Sequence, residues 1–168
     1  VDLGTDMLPA LALGAEHPEP GLMDRPPRSR NEHVLSPGLL LRAYLYLGTI
    51  QGLLALLAFF YHYWTHGYPG QIFGLPGEGA VYAVATTMTL AATVATQIGN
   101  LFAHRTERTS VFRYPLFSNR LIWVGIAWEV LLMCALSYVP FLQPVFNTGP
   151  IPAGNLWLLI AVIPVLLI

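Results

Sequence analysis

Two carboxylates stand one helical turn apart near the start of the chain, among apolar residues. They are Asp2 and Asp6, and Thr5 lies beside Asp6. Residues four apart share one face of a helix. Pro9 has no N–H to donate to the carbonyl of Thr5, and Gly4 weakens the helix further, so we predict that the helix opens here. Carboxylate, hydroxyl and freed carbonyl oxygens suit a hard cation, so a metal-cation site is predicted around Asp2 and Asp6.

Three more polar side chains interrupt apolar segments. Gln97 and Asn100 are three residues apart and share a helix face, and Glu129 lies about 12 Å deep in another helix. Because a carboxylate at mid-span costs about 2.5–3.5 kcal/mol, such residues are functional candidates. Asp6, Gln97 and Glu129 fall at similar depths, so groups from three helices are predicted to converge. There are two alternatives to a role in binding the cation. Gln97 and Asn100 form hydrogen bonds between helices, or Glu129 is a protonated acid or a residue of a proton path.

The elements that position these residues are five apolar runs. The chain has 168 residues, of which 55% are hydrophobic and 10% charged, which is typical of a membrane protein. A membrane span needs about 20 apolar residues. We therefore predict that the first run is only part of a span and that the chain is a fragment cut at both ends. We predict an all-α, multi-pass transmembrane helix bundle in one domain, residues 1–168, with helices at about 1–15, 39–64, 80–103, 121–139 and 153–168.

The charged residues alternate between the connections. All eight basic residues are arginine, which excludes a lysine-dependent phosphate loop or Schiff base. Arginines occupy the connections 16–38 and 104–120, and none lies in 65–79 or 140–152. Because cytoplasmic loops carry the positive excess, 16–38 and 104–120 are predicted to be cytoplasmic.

A histidine pair lies among aromatic residues at the opposite end of the second run. His62 and His66 have the i, i+4 spacing of a metal pair, but no cysteine, aspartate or third histidine accompanies them. A belt of rings at the membrane interface is the favoured interpretation.

Several segments resemble one transporter family. VDLGTDMLPALALG at 1–14 is very similar to the sixth transmembrane helix of P-type ATPases of the calcium-pump and sodium/potassium-pump group. MDRPPR at 23–28 resembles the cytoplasmic loop that follows, and TSVF at 109–112 and LSY at 136–138 resemble later landmarks. The resemblance implies ATP-driven cation transport through an aspartyl phosphate, in a multi-pass protein of the plasma membrane. Its implied partners are the lipid bilayer and the remaining helices and cytoplasmic domains of the pump, with no nucleic acid.

The resemblance also implies roles for site residues. Thr5 and Asp6 match cation ligands of the family, and Asp2 matches an aspartate of sodium/potassium pumps that is asparagine in calcium pumps. Gln97 stands where calcium pumps have a glutamate ligand, and Asn100 where sodium/potassium pumps have an aspartate. These two departures leave the transported ion open.

Two further roles follow from the resemblance. Glu129 matches a glutamate at or near the third sodium site of sodium/potassium pumps, and Asp24, Arg25 and Arg28 lie in the loop predicted to couple to the phosphorylation domain. The chain has no lysine, so it lacks the phosphorylated Asp-Lys-Thr-Gly-Thr motif and cannot hydrolyse ATP alone. ATP and Mg²⁺ would bind elsewhere in the intact pump.

The ion prediction favours sodium/potassium-like transport, with calcium next. Asp2 and Asp6 are so close that both stay ionised only with positive charge between them, so an emptied site needs a counter-cation or protons. The alternatives to a pump are a fragment of a secondary cation transporter or channel, and a free-standing five-span accessory membrane protein.

Overall fold

The computed structural model describes residues 2–18, 36–105 and 115–167. Throughout these ranges the chain forms helices joined by turns, and none of them contains a β-strand. The predicted all-α class is therefore confirmed.

The helices follow the apolar runs. Helix α1 is Asp2–Gly14, α2 is Pro37–Thr65, α3 is Ala80–Ala103, α4 is Arg120–Tyr138, α5 is the short Leu142–Phe146 and α6 is Ala153–Leu166. In the described part of the chain, α2, α3 and α4 are long and apolar enough to cross a membrane. Helices α1 and α6 coincide with the predicted first and fifth segments and are shorter. The predicted multi-pass helix bundle is confirmed.

Helix α2 begins with a cap and then widens. The Ser36 hydroxyl accepts a hydrogen bond from the Leu39 N–H at 3.2 Å, and Pro37 occupies the first turn, where a missing N–H costs nothing. Residues Leu41–Leu47 form a π-helix, in which the Gly48 N–H donates to the carbonyl of Ala43 five residues back. An ordinary α-helix continues over Gly48–Thr65.

Helix α3 lies at the centre and packs against α1, α2, α4 and α6. Its buried face is rich in alanine and threonine, whose small side chains let neighbouring helices approach closely. The threonine hydroxyls bond back to carbonyls of their own helix, as in Thr87 to Ala83 at 2.7 Å and Thr93 to Thr89 at 3.0 Å, as expected of apolar helices. The main apolar core joins α3 to α2, α4 and α6 through Ala58, Met88, Ala91, Ala92, Val94, Met133, Ile151 and Leu158.

The predicted opening of the first helix does not occur. Helix α1 is continuous through Gly4 and Pro9. Helix α4 lies directly alongside, because a Cβ atom at Gly125 would come within 3.0 Å of the Pro9 nitrogen. The indole Nε1–H of Trp128 donates to the Gly4 carbonyl at 2.8 Å. The prediction of a break was wrong: α1 stays helical through Pro9, with α4 packed directly against it.

Candidate functional site

Four helices line an open polar cavity. Its volume is about 380 Å³, and α1, α2, α3 and α4 each contribute to its wall. The predicted residues Asp6, Gln97, Asn100 and Glu129 all line it. A larger cavity of about 450 Å³ between α3, α4 and α6 is lined mainly by aliphatic residues and has no carboxylate in its wall. Of these two cavities, only the smaller has carboxylates, Asp6 and Glu129, among the described residues of its wall.

Two buried oxygens in the wall have no donor in the part of the chain that the structure describes. The Glu129 side chain is 1% exposed, although it carries a carboxylate. Its Oε2 atom and the Oδ1 atom of Asn100 have no hydrogen-bond partner within the residues that the structure describes. Buried oxygens are almost always satisfied, so two of them in one cavity indicate that a cation, a proton or water completes the site.

The four predicted residues of the cavity wall come from three different helices. Gln97 and Asn100 lie on one face of α3, and Asp6 projects from α1 with partial exposure. Glu129 lies nine residues beyond the start of α4 at Arg120, which is about 14 Å along the helix axis. The convergence of groups from three helices, predicted from depth, is found in the structure.

The remaining predicted residues have different positions. Thr5 is fully buried but does not line this cavity. Asp2 belongs to α1, and its side chain lies outside the described part. Pro9 contributes to the cavity wall. The three residues of the predicted coupling loop, Asp24, Arg25 and Arg28, also lie outside the described residues.

Two polar residues of the wall were missed in the sequence analysis. Gln51 enters from α2, and His104 lies just beyond the end of α3. Both could have been found from the sequence. Gln51 is a polar amide within an apolar run, and His104 follows Asn100 by four residues and so shares its helix face. The His104 Nδ1–H donates to the Asn100 carbonyl at 2.8 Å, which fixes the ring at the end of the cavity.

The outer histidine pair is held by protein contacts. His62 is 2% exposed, and its Nδ1 accepts a hydrogen bond from the Asn155 amide at 3.1 Å. The His66 Nδ1–H donates to the His62 carbonyl at 2.8 Å, and the two ring centroids are 4.0 Å apart. Over the described ranges, no group of three or more His, Cys, Asp or Glu residues is placed to hold a metal ion. These contacts agree with a packing role for the pair.

Comparison with known proteins identifies the family. The model of the family described as "Cation transporting ATPase, C-terminus" matches residues 1–168. The chain is 31% identical over 162 residues to the potassium-transporting ATPase alpha chain 2 of Rattus norvegicus, covering 82% of this chain and 16% of the relative. It is 35% identical over 160 residues to a calcium-transporting ATPase of Bacillus subtilis (strain 168), covering 95% of this chain and 16% of the relative.

A third relative belongs to another ion class. The sodium/potassium-transporting ATPase subunit alpha of Drosophila melanogaster is 28% identical over 175 residues, covering 90% of this chain and 17% of the relative. The chain thus spans about a sixth of the length of the curated relatives it matches. The family match sets aside a secondary transporter, a channel or an accessory protein. This chain belongs to the family of P-type cation-transporting ATPases and corresponds to the C-terminal membrane part of its members.

Proposed function

We propose that this chain is the membrane-domain portion of an ATP-driven cation pump, and that the cavity between α1, α2, α3 and α4 binds the transported cation. The observation that carries the proposal is a pair of buried oxygens, Oε2 of Glu129 and Oδ1 of Asn100, that have no hydrogen-bond donor among the described residues. Asp6 supplies a second carboxylate to the same cavity. A cation seated there would satisfy these oxygens and offset the repulsion between the carboxylates.

The ligand chemistry favours a monovalent cation. Amide side chains outnumber carboxylates in the cavity wall, with Gln51, Gln97 and Asn100 set against Asp6 and Glu129. Calcium sites depend on carboxylate charge for affinity, so an amide-rich wall suits sodium or potassium better. Sodium/potassium-like transport is therefore our first proposal and calcium the second. Asp2 and Thr5 of α1 are proposed as further ligands of the complete site.

The energy source lies outside this chain. ATP and Mg²⁺ belong to the cytoplasmic domains of the proposed pump, and the other membrane helices of that pump would complete the cation site. The residues of this chain are proposed to bind the ion and to hold its charge at membrane depth. We propose that the pump lies in the plasma membrane. We also propose that 16–38 and 104–120 face the cytoplasm, because these connections carry arginines, among them Arg105 and Arg120.

The loop after α1 is proposed to couple the site to phosphorylation. Arg25 and Arg28 supply positive charge next to a Pro-Pro pair, and Asp24 precedes them. In the intact pump, alanine at both arginines should slow phosphorylation and leave apparent cation affinity nearly unchanged. A loss of affinity with normal phosphorylation rates would rule out the coupling role.

Carboxylate variants test the cation site. In the intact pump, cation-dependent phosphorylation is measured in sodium, potassium and calcium titrations for Asp6→Asn and Glu129→Gln. A contact to a charged group contributes about 1.5–3 kcal/mol, so Glu129→Gln should lower apparent affinity roughly 10- to 100-fold. Asp6→Asn should abolish cation-dependent phosphorylation, because Asp6 is the proposed ligand on α1, the helix that also carries the further proposed ligands Asp2 and Thr5.

The matched control is Glu78→Gln. Glu78 is an exposed glutamate in the connection between α2 and α3, remote from the cavity wall. The Glu78→Gln variant should show the same cation dependence of phosphorylation as the parent protein. If Glu129→Gln and Glu78→Gln gave the same ion dependence, Glu129 would not belong to the cation site.

A further inference from the structure

A buried ion pair lies where α1 and α3 end. The Arg105 guanidinium binds the Glu16 carboxylate through two contacts, Nε to Oε2 at 3.2 Å and Nη2 to Oε1 at 3.1 Å. Their side chains are 2% and 9% exposed, respectively. Arg105 also donates to the Ser118 hydroxyl at 2.7 Å and to the Leu116 carbonyl at 3.2 Å. The guanidinium therefore connects segments that are distant in the sequence.

Asn119 extends the same network to a third helix. Its Nδ2 donates to the Ala12 carbonyl at 2.8 Å and to Glu16 Oε2 at 3.0 Å. Its Oδ1 accepts the Leu121 N–H at 3.0 Å and so caps the start of α4. We call Arg105, Glu16, Ser118 and Asn119 the helix-end clamp, because they join the end of α1, the end of α3 and the start of α4.

The clamp joins the helices that carry the cavity's ion ligands. Asp6 lies ten residues before Glu16, Asn100 five residues before Arg105, and Glu129 ten residues after Asn119. At 1.5 Å per helical residue, the clamp is about 8–15 Å from the ligands along each helix. Glu16 and Arg105 lie two residues beyond the ends of α1 and α3, and Asn119 caps α4, so a shift at the clamp moves the ends of the helices that carry the ligands.

We propose that Arg105 is a positioning residue for the cation site: through the helix-end clamp it sets the separation of Asp6, Asn100 and Glu129 across the cavity. The proposal rests on the proposed function of that cavity. Arginine suits this role because its planar fork makes two parallel bonds to one carboxylate and keeps further N–H groups for other acceptors. Lysine would keep the charge and lose the fixed geometry.

The test measures cation affinity in the intact pump. The concentration of cation for half-maximal phosphorylation is determined for Arg105→Gln, Arg105→Lys and Glu16→Gln, together with the phosphoenzyme level at saturating cation. Loss of a residue that orients a ligand typically weakens metal binding 10- to 100-fold. Arg105→Gln and Glu16→Gln should each raise the half-maximal concentration about tenfold, and Arg105→Lys by less. The effect of their double variant should be smaller than the sum of the two single effects, because each single variant already breaks the Arg105–Glu16 ion pair.

Control and milder variants separate positioning from folding. Arg120 is an exposed arginine at the same end of the bundle, so Arg120→Gln should keep the parental half-maximal concentration. A purely structural role for Arg105 would lower the phosphoenzyme level without moving that concentration, and this result would overturn the proposal. Ser118→Ala removes one partner and leaves the ion pair intact, so it provides a variant that folds if Arg105→Gln does not. It should raise the half-maximal concentration about threefold, and a parental value would also overturn the proposal.

The carboxylate variants distinguish the two proposals. If Asp6→Asn and Glu129→Gln alter cation dependence while the clamp variants do not, the cation site stands and the positioning role is wrong. If the carboxylate variants show the same cation dependence of phosphorylation as the parent, the proposed cation site is wrong, and the positioning role is refuted with it.

Discussion

Adding one methyl group at Gly99 should force two helices apart. Gly99 is buried in α3 between the cavity residues Gln97 and Asn100. A Cβ atom there would lie 2.2 Å from the carbonyl oxygen of Ile163 and 3.4 Å from the Leu166 Cβ. Because carbon and carbonyl oxygen settle at about 3.3–3.6 Å, α3 and α6 would have to separate by about 1 Å. Overpacking of this kind costs about 1–3 kcal/mol.

The assay is thermal unfolding of the purified chain in detergent, with Gly52→Ala as the control. For a chain of this size, each kcal/mol shifts the melting temperature by about 2–4 °C, so Gly99→Ala should melt roughly 2–12 °C below the parent. Gly52 lies within α2 and has no atom within 4 Å of the added methyl group, so Gly52→Ala should be neutral or slightly stabilising. A Gly99→Ala protein that melts with the parent would refute the close approach of α3 to α6.

Three further predictions test other contacts. Trp128→Phe removes the indole donor to Gly4, so the purified chain should lose about 0.6 kcal/mol of unfolding free energy, and an unchanged value would show that the bond contributes nothing. Asn100→Asp adds a carboxylate to the cavity, so apparent calcium affinity in the intact pump should rise roughly tenfold relative to sodium, whereas equal changes for both ions would contradict the ligand role. In a cysteine-free background in intact cells, an impermeant thiol reagent should label Gln71→Cys and spare His17→Cys, and the opposite pattern would reverse the proposed orientation.

The sequence predicted the helices well because their cause is local. A backbone in hydrocarbon must satisfy its own hydrogen bonds, so long apolar runs become helices whatever their neighbours are. The runs at 80–103 and 121–139 correspond to α3, Ala80–Ala103, and to α4, Arg120–Tyr138. The back-bonding of the α3 threonines follows from the same local geometry.

The candidate site was partly predictable for a related reason. Polar residues in apolar helices are costly, so they gather where they can share a cavity. This argument correctly grouped Asp6, Gln97, Asn100 and Glu129 in one cavity wall. It passed over Gln51, because a single amide in a long apolar run was not weighed as a site residue.

Tertiary structure alone decided the features that depend on helix rotation and contact. Thr5 is next to Asp6 in the sequence, yet the packed bundle buries Thr5, and of the two only Asp6 is part of the cavity wall. Local propensity predicted an opening at Pro9, but α4 presents Gly125 to that point and the helix stays closed.

The helix-end clamp shows the limit of sequence reasoning most clearly. Arg105 and Glu16 are 89 positions apart, and no periodicity or motif pairs them. The apolar pattern of this chain determined which segments are helices, since each segment meets the bilayer independently. Which faces meet, and therefore which polar groups share a cavity or an ion pair, depends on the fit of side chains across helices, and only the assembled bundle decides it.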